Sequence, residues 1–356
     1  MKTFFVVLLS LLPLITVNSS ALKEWEDKNI TGVNREDSRS TFWYYKTEKE
    51  ALDGGYYRCN SNLCLNGKWK FSFAENPASR IVDFYKPDYD VSKWNEIDVP
   101  GSWPLQGYDK PIYVNHPYEF ALKNPYPPKA PHDWNPVGSY RRDFVIPEEW
   151  KDSRIVLHFG AVKSSFYVWV NGKKVGYSQD SKMQAEFDIT PYVKPGNNTL
   201  AVEVYRFSIG SYLECQDFWR LAGIKRDVWV YSTPKTYIKD FSVKASLTDA
   251  YKNGDFNLNV VMASKDKSSK GEITVKLIDD NNSIVYEDRK HVSVKRGKQK
   301  LVSFGTVLDN VLQWTAETPN LYTLVVESDI DGYAKSYVSA KVGFRTVELK
   351  NSQLLV

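Results

Sequence analysis

The residues best suited to chemistry lie in one stretch, 208–230, which reads SIGSYLECQDFWRLAGIKRDVWV. Within it an acid–amide–acid cluster runs directly into two aromatic residues and an arginine: Glu214, Gln216, Asp217, Phe218, Trp219 and Arg220. Carboxylates and amides hydrogen-bond sugar hydroxyls, and aromatic rings pack against the apolar face of a pyranose. These residue types are therefore typical of a sugar site. They fit equally well a strand-edge turn stabilised by an Arg–Asp pair, and residue types alone leave both interpretations open.

No catalytic constellation accompanies this stretch. The sequence contains no GxSxG, Walker, HExxH or dinucleotide-binding motif. Its three cysteines and four scattered histidines give no zinc-site spacing. Glycoside hydrolysis needs two carboxyl groups about 5 to 9.5 Å apart. Glu214 and Asp217 are candidates, but acidic residues three positions apart are common. A structural or ligand-binding role is favoured for them, and we assign no catalytic residue.

Length and composition indicate what kind of protein carries this stretch. With 356 residues the chain is too long for one ordinary core, which predicts two domains. A hydrophobic content of 42% and a charged content of 25% are ordinary for a globular protein. Aromatic residues make up 14%, a high share that suits carbohydrate-binding β proteins and large aromatic cores alike. The net charge is only +4, with bases scattered among acids, so we expect no nucleic-acid partner.

Residues 1–20 have the features of a secretory signal peptide. Lys2 supplies the positive start, the apolar run 4–17 is short for a membrane span, and small residues at 18–21 suit cleavage. We expect the mature protein to be periplasmic or secreted, with no membrane attachment after cleavage. In such an oxidising compartment Cys59 and Cys64 could form a disulfide, or could equally remain reduced.

Short strands separated by polar turns dominate the first half of the remaining chain. They are predicted at 67–73, 140–146, 154–159, 165–170, 174–178, 186–189, 199–205 and 227–231. Asn171 and Gly172 are typical of a type I′ hairpin turn. This regular spacing predicts a sandwich or jelly roll. The proline- and aromatic-rich stretch 100–137 predicts a long ordered loop, which is where binding residues usually lie.

A domain boundary is predicted near residues 232–234, after which simple alternation begins again. Strands are expected at 238–245, 256–263, 272–278, 283–288, 291–294, 300–307, 321–328 and 336–342. Their number and the length of about 110 residues predict an immunoglobulin-like sandwich. The last residues, 346–356, begin one more strand with no partner in the sequence. We interpret this as a chain cut before a further domain.

Seven segments together resemble a known family. In chain order they are GKWKFSF (67–73), VPGSWPLQGYDKPIYVN (99–115), PVGSYRRDFVIP (136–147), VWVNGKKVGYSQDSKMQAEFDIT (168–190), SYLECQDFWRLAGIKRDVWV (211–230), WTAETPNLYTLVV (314–326) and VGFRTVEL (342–349). Nearly the whole mature chain is similar to the N-terminal part of a bacterial beta-galactosidase of glycoside hydrolase family two. The 211–227 and WTAETPNLY motifs are the most specific of these.

The resemblance implies an all-β architecture. It places a jelly-roll, galactose-binding-like sandwich at 24–234 and an immunoglobulin-like β-sandwich at 235–345. Residues 346–356 would be the stub of a (β/α)8 catalytic barrel, a domain of roughly 250 residues. In the family that barrel holds both catalytic glutamates. The chain would therefore be truncated before the barrel, contribute substrate-binding residues to a retaining enzyme, and be inactive by itself.

The resemblance also implies two site residues. Asn115, in PIYVN, matches an asparagine that binds a sugar hydroxyl, and Asp217, in CQDFWR, matches an aspartate that contacts the galactosyl O6 and a sodium ion. The other sodium ligands would lie in the barrel, so sodium should bind weakly or not at all here. The resemblance also leaves magnesium open as a second metal of the full-length enzyme. His116 reads more readily as a solvent-exposed loop residue, and Trp219 and Arg220 as packing and carboxylate support.

The sequence departs from the family at two places. Cys215 stands where related enzymes carry an aspartate, which leaves Asp217 as the firmer site residue. The 265–270 segment is short where relatives can carry a loop reaching a neighbouring subunit, which argues against a shared active site and a tetramer. A homo-oligomer of the full-length enzyme stays an open expectation. Two alternatives also remain: a stand-alone carbohydrate-binding protein, and a structural β-sandwich without a ligand.

Overall fold

The computed structural model describes residues 23–55, 59–115, 118–121, 126–127, 129–214 and 216–356. The predicted signal peptide, His116 and Cys215 lie outside the described residues. Strands dominate, as predicted. The helix α1 spans Glu48–Asp53 and begins at a capping box formed by Thr47 and Glu50. Short 3-10 turns occur at Glu24–Glu26, Trp103–Leu105, Glu148–Trp150 and Ile209–Tyr212. In the described part of the chain, no helix combines the length and apolarity needed to cross a membrane.

The first domain is a sandwich of two antiparallel sheets. Its strands are β1 Gly32–Val33, β2 Asn62–Cys64, β3 Gly67–Ala74, β4 Asn95–Val99, β5 Ile112–Val114, β6 Val137–Ile146, β7 Arg154–Phe159, β8 Val162–Lys163, β9 Ser165–Val170, β10 Lys173–Gln179, β11 Ala185–Asp188, β12 Gly196–Tyr205, β13 Phe218–Arg220, β14 Gly223–Ile224 and β15 Val228–Thr233. The larger sheet has the order β1-β10-β9-β12-β6-β3-β4, and the smaller has β11-β7-β15-β2. The pairs β5–β13 and β8–β14 form separate short ribbons.

The core of the first domain lies between its two sheets. Alternate residues of β3, β9 and β12 point inward from the larger sheet, and β7 and β15 supply apolar residues from the smaller one. The Asn171–Gly172 turn between β9 and β10 has positive φ at both residues, 50° and 80°, which confirms the predicted hairpin. Apart from the 3-10 turn Trp103–Leu105, the strand β5 and the start of β6, the described part of 100–137 is largely irregular, as expected from its prolines.

The second domain is a seven-stranded sandwich followed by a hairpin. Its strands are β16 Thr236–Thr248, β17 Asn253–Ser264, β18 Ser269–Ile278, β19 Ile284–Val294, β20 Gln299–Leu308, β21 Tyr322–Ile330, β22 Ser336–Val342, β23 Glu348–Lys350 and β24 Gln353–Leu355. The sheet β16-β17-β20 packs against the sheet β19-β18-β21-β22. Seven antiparallel strands divided three and four confirm the immunoglobulin-like sandwich.

Two sequence predictions for this domain were wrong. The strands expected at 283–288 and 291–294 are one continuous strand, β19, because an edge strand tolerates the polar residues between them. The terminal strand does have a partner: β23 pairs with β24 across Asn351 and Ser352, both with positive φ.

Cys59 and Cys64 are free thiols in the structure, with the Cys59 thiol directed at the Tyr44 carbonyl oxygen, 3.2 Å away.

An extended arm, residues 35–45, joins the two sandwiches. Arg39 forms a two-pronged ion pair with Glu186 of β11, at 2.7 and 2.9 Å. Phe42 and Tyr44 are buried in the core of the second domain, and the Tyr44 hydroxyl donates to the Ile238 carbonyl at 2.6 Å. The arm therefore ties the smaller sheet of the first domain to the start of the second.

Candidate functional site

The site is built on the ribbon β5–β13. Its register pairs Ile112 with Arg220, Tyr113 with Trp219 and Val114 with Phe218. Continuing that register by one residue sets Asn115 opposite Asp217. Residues directly opposite in an antiparallel ribbon share a face, as do alternate residues of one strand. The ribbon therefore brings the two predicted site residues to the same end of one strand pair, although they are 102 positions apart in sequence.

One face of the ribbon is open to solvent. We call Tyr113, Asn115, Asp217 and Trp219 the exposed wall, because all four share this face and all are exposed. Tyr113 is 53% exposed and Trp219 is 55% exposed, and their rings meet edge to face with centroids 5.6 Å apart. The expectation that Trp219 serves as packing was wrong, because more than half of its surface faces solvent. A solvent-facing indole beside a carboxylate is available to a ligand.

The Asp217 carboxylate is held in place by its own wall. The Tyr113 hydroxyl donates a short hydrogen bond to Asp217 Oδ1. This hydrogen bond and the Asp217 charge raise the pKa of Tyr113, so the phenol remains a donor at neutral pH. Sequence reasoning missed Tyr113. The signal was its position two residues before Asn115, since that spacing puts both side chains on one face of a strand.

The opposite face of the ribbon is supported by buried arginine. Arg220 is 1% exposed, and its guanidinium donates to the carbonyl oxygens of Glu214 and Val114, at 2.9 and 3.2 Å. Arg206, also 1% exposed, pairs with Asp109 and donates to the Arg220 carbonyl at 3.1 Å. These contacts fasten the back of the ribbon to the domain. The expected supporting role of Arg220 is thus made through backbone carbonyls.

The acid–amide–acid cluster separates into different roles. Glu214 is half-buried and accepts hydrogen bonds from the backbone N–H of Ser181, at 2.7 Å, and from the Ser181 hydroxyl. Gln216 donates to the Leu213 carbonyl at 3.1 Å and so closes a turn. Only Asp217 of the three belongs to the exposed wall. The predicted preference for a structural role over an acid–base pair therefore fits Glu214.

The donor set around Asp217 does not by itself fit a sodium or magnesium site. Such hard cations take several oxygen ligands, and here one exposed carboxylate stands beside one tyrosine hydroxyl. Across the described ranges, no group of three or more His, Cys, Asp or Glu side chains is placed to hold a metal ion. We therefore derive no step through either ion for this chain.

The structure thus pairs a two-sheet sandwich that carries an exposed carboxylate-and-aromatic wall with an immunoglobulin-like sandwich. Comparison with known proteins agrees. Residues 63–234 match "Glycosyl hydrolases family 2, sugar binding domain", and residues 236–345 match "Glycosyl hydrolases family 2". The chain belongs to glycosyl hydrolase family 2.

Curated relatives are longer than this chain. A beta-galactosidase of Priestia megaterium is 41% identical over 346 residues, covering 96% of the chain and 34% of that protein. A beta-galactosidase of Clostridium acetobutylicum is 38% identical over 339 residues, covering 94% of the chain and 37% of that protein. The chain thus spans about a third of the length of these relatives.

Solved structures share the fold. A calcium-binding mutant of Bacteroides uniformis beta-glucuronidase 2 superposes with a TM-score of 0.66 at 21% identity, over 81% of this chain and 33% of that one. A Bifidobacterium dentium beta-glucuronidase complexed with coumarin-3-O-glucuronide gives a TM-score of 0.62 at 19% identity, over 83% of this chain and 50% of that one. At these identities the likeness concerns the fold alone.

Proposed function

We propose that this chain is the N-terminal, substrate-binding part of an exported beta-galactosidase. In this proposal Asn115 and Asp217 bind hydroxyl groups of a terminal β-galactoside, and the hydrolysis of the glycosidic bond is carried out by residues outside this chain. The observation that supports the proposal is the hydrogen bond from Tyr113 of β5 to Asp217, at the end of the ribbon where Asn115 follows β5.

The chemistry of the exposed wall suits a neutral sugar. Among the described residues, Tyr113 is the hydrogen-bond partner of the Asp217 carboxylate, which leaves acceptor capacity for a ligand hydroxyl. The Asn115 amide both donates and accepts, as a hydroxyl does. The exposed Trp219 ring can pack on the apolar face of the sugar. The names of the curated relatives favour galactose, and a jelly-roll sugar-binding module is the family role that we propose for the first domain.

Export is part of the same proposal and rests on sequence. Residues 1–20 carry the positive start, apolar run and small residues of a signal peptide, so we place the mature protein in the periplasm or outside the cell. Expression from the full reading frame, followed by mass spectrometry of the product, should find an N-terminus between residues 18 and 24 in the exported fraction. A product that keeps Met1 and remains in the cytoplasm would refute this part.

The first test separates binding from hydrolysis. The purified chain should not hydrolyse a chromogenic β-galactoside, because we place both catalytic carboxyls elsewhere. It should bind methyl β-galactoside weakly, with a Kd of about 1 to 50 mM, as expected for one wall of a pocket. A titration followed by heteronuclear NMR should shift the signals of Tyr113, Asn115, Asp217 and Trp219. Turnover above background, or shifts located elsewhere, would contradict the proposal.

Matched variants sharpen this test. Asp217→Asn removes the charge and should weaken methyl β-galactoside binding about tenfold, because hydrogen bonds to a charged group are the stronger ones. Asp280→Asn makes the same change at an exposed position of the second domain and should leave binding unaltered. Methyl β-glucuronide should bind less well than the galactoside, since its carboxylate would approach that of Asp217. A Kd below about 100 µM would instead favour a stand-alone carbohydrate-binding protein.

A further inference from the structure

A second cleft is lined by residues of the arm, of the segment 182–184 and of the segment 225–229. Its volume is about 620 Å³, and its lining includes Trp43, Lys182, Lys225, Arg226, Asp227 and Trp229. The rings of Trp43 and Trp229 meet edge to face with centroids 5.3 Å apart. This cleft therefore combines one partly exposed indole, that of Trp43, with a concentration of positive charge, and the proposed galactoside site makes no use of it.

We call Lys182, Lys225 and Arg226 the cationic cluster. The Lys182 ammonium nitrogen lies 4.0 Å from the ring centroid of Phe218, on the buried side of the ribbon. Arg226 Nη1 donates to the Lys182 carbonyl oxygen at 3.3 Å, which brings these two residues together. The backbone N–H of Lys225 donates to the Ala161 carbonyl oxygen at 2.9 Å and fixes the connection between β14 and β15 that carries it.

The neighbouring carboxylates are engaged by other groups. Glu119 pairs with Lys163 at 2.8 Å, and Glu214 is bound by Ser181. Asp227 accepts from the Asn66 amide at 3.0 Å. Within the described residues, no ion pair joins a carboxylate to any member of the cationic cluster. Three positive charges thus line one cleft, and the one acidic residue of its lining, Asp227, is also engaged by the Asn66 amide.

The state of Lys225 reflects this imbalance. Burial lowers the pKa of Lys225, and the charges of Lys182, Lys163 and Arg226 lower it further, to about 8. The Glu214 charge acts in the opposite direction and offsets only part of the effect. An anion bound in the cleft would relieve this repulsion, because an opposite charge nearby favours the protonated ammonium.

We propose that Lys182, Lys225 and Arg226 form a binding site for an oxyanion: a sulfate, phosphate or carboxylate group. Arginine and lysine together suit such groups, since guanidinium binds two oxygens at once and ammonium acts as a compact charge. The oxyanion comes either from a free inorganic ion or from an acidic substituent of a saccharide, whose apolar face the partly exposed Trp43 ring would contact. The site stands independently of the proposed galactoside site.

The test titrates the full chain with sodium sulfate at pH 7 and constant ionic strength, with chloride as the balancing salt. Calorimetry should detect sulfate binding that Lys182→Gln and Lys225→Gln each weaken about tenfold, the loss expected for one charged hydrogen-bond partner. Lys300→Gln, at an exposed position of the second domain, is the matched control and should bind sulfate as the unaltered chain does. Asp217→Asn should also leave sulfate binding unchanged, which separates this site from the galactoside wall.

A second readout does not depend on variants. Carbon-detected NMR of lysine side chains should show the pKa of Lys225 rising by about one unit in saturating sulfate. Titrations with galactose 6-sulfate, and with neutral galactose as the control, distinguish an acidic saccharide from a free inorganic ion as the source of the oxyanion. If the sulfated sugar binds at least tenfold more tightly than sulfate, the natural source is an acidic saccharide; equal affinities indicate a free ion. The proposal fails if sulfate leaves the pKa of Lys225 unchanged, or if both glutamine variants bind sulfate as Lys300→Gln does.

Discussion

Replacing Arg39 with methionine should destabilise the first domain. The Arg39 guanidinium donates to both Glu186 carboxylate oxygens, at 2.7 and 2.9 Å. Both side chains are almost fully buried, at 7% and 6% exposure. His158 Nδ1 lies 3.0 Å from Glu186, and the Tyr231 hydroxyl donates to it at 3.1 Å. Removing Arg39 would leave the buried Glu186 charge with these two weaker partners.

The magnitude follows from this geometry. Removing one partner of a buried ion pair typically costs about 3 to 5 kcal/mol, because the other charge is left without compensation. Since His158 and Tyr231 remain on Glu186, we expect the lower end, about 3 kcal/mol. The methionine also lacks the guanidinium that lies 4.2 Å from the Phe42 ring centroid. For a domain of this size, about 3 kcal/mol corresponds to a fall in Tm of roughly 6 to 12 °C.

Scanning calorimetry at pH 7 measures this change. Lys68→Met is the matched control, because the Lys68–Asp98 pair has 60% and 58% exposed side chains and should contribute less than about 1 kcal/mol. The double variant Arg39→Met/Glu186→Gln should be less destabilised than the sum of its two single variants, since it leaves no buried charge unpaired. Equal Tm shifts for Arg39→Met and Lys68→Met would refute the reasoning.

Three further predictions concern acidity, aromatic exposure and close backbone contact. Burial raises the pKa of Glu186, but the paired Arg39 guanidinium outweighs burial and holds that pKa below its usual value of 4.5. The stability that this pair contributes is therefore complete above pH 4.5 and decreases as the pH falls below 4.5. Urea denaturation at a series of pH values between 6 and 3 would show this decrease. Trp229→Ala should cost about 3 to 5 kcal/mol because Trp229 is 1% exposed, whereas Trp219→Ala should keep Tm but abolish galactoside shifts in the NMR titration. Gly176→Ala should destabilise the chain by about 1 to 3 kcal/mol in urea denaturation, because the new Cβ would lie 2.3 Å from the Val33 carbonyl oxygen.

Strands were predictable from sequence where alternation was flanked by clear turns. The strands at 154–159, 165–170 and 336–342 have the bounds expected, since each lies in a sheet whose buried face imposes a hydrophobic pattern. Strand β4, Asn95–Val99, was missed, because its sequence NEIDV offers only two apolar residues. The pairing of β23 with β24 was missed for a different reason: its turn uses Asn351 and Ser352 without the glycine that usually marks a type I′ hairpin.

The site was less accessible to sequence reasoning than the fold. Strands β5 and β13 have three residues each, too few for periodicity to detect. Without their register, nothing in the physics of the sequence brings Asn115 to Asp217, and only the family resemblance named both. Tyr113 could have been found from its spacing to Asn115. The exposure of Trp219 could not have been predicted, because an aromatic residue next to a buried arginine is expected in the core until the orientation of its strand is known.

The ribbon β5–β13 explains why support and binding can lie so close together without conflict. Its inner residue Arg220 anchors it by donating to the Glu214 carbonyl and by accepting from Arg206 at its own carbonyl, and these bonds persist whatever the outer side chains are. Its outer residues make few contacts with the core, so a substitution at Asp217 or Trp219 should change ligand binding more than stability. Substitution of Arg220 should instead lower the stability of the domain, and ligand binding should be lost only because the ribbon no longer forms. Alternation along two short strands is therefore sufficient to divide the two roles.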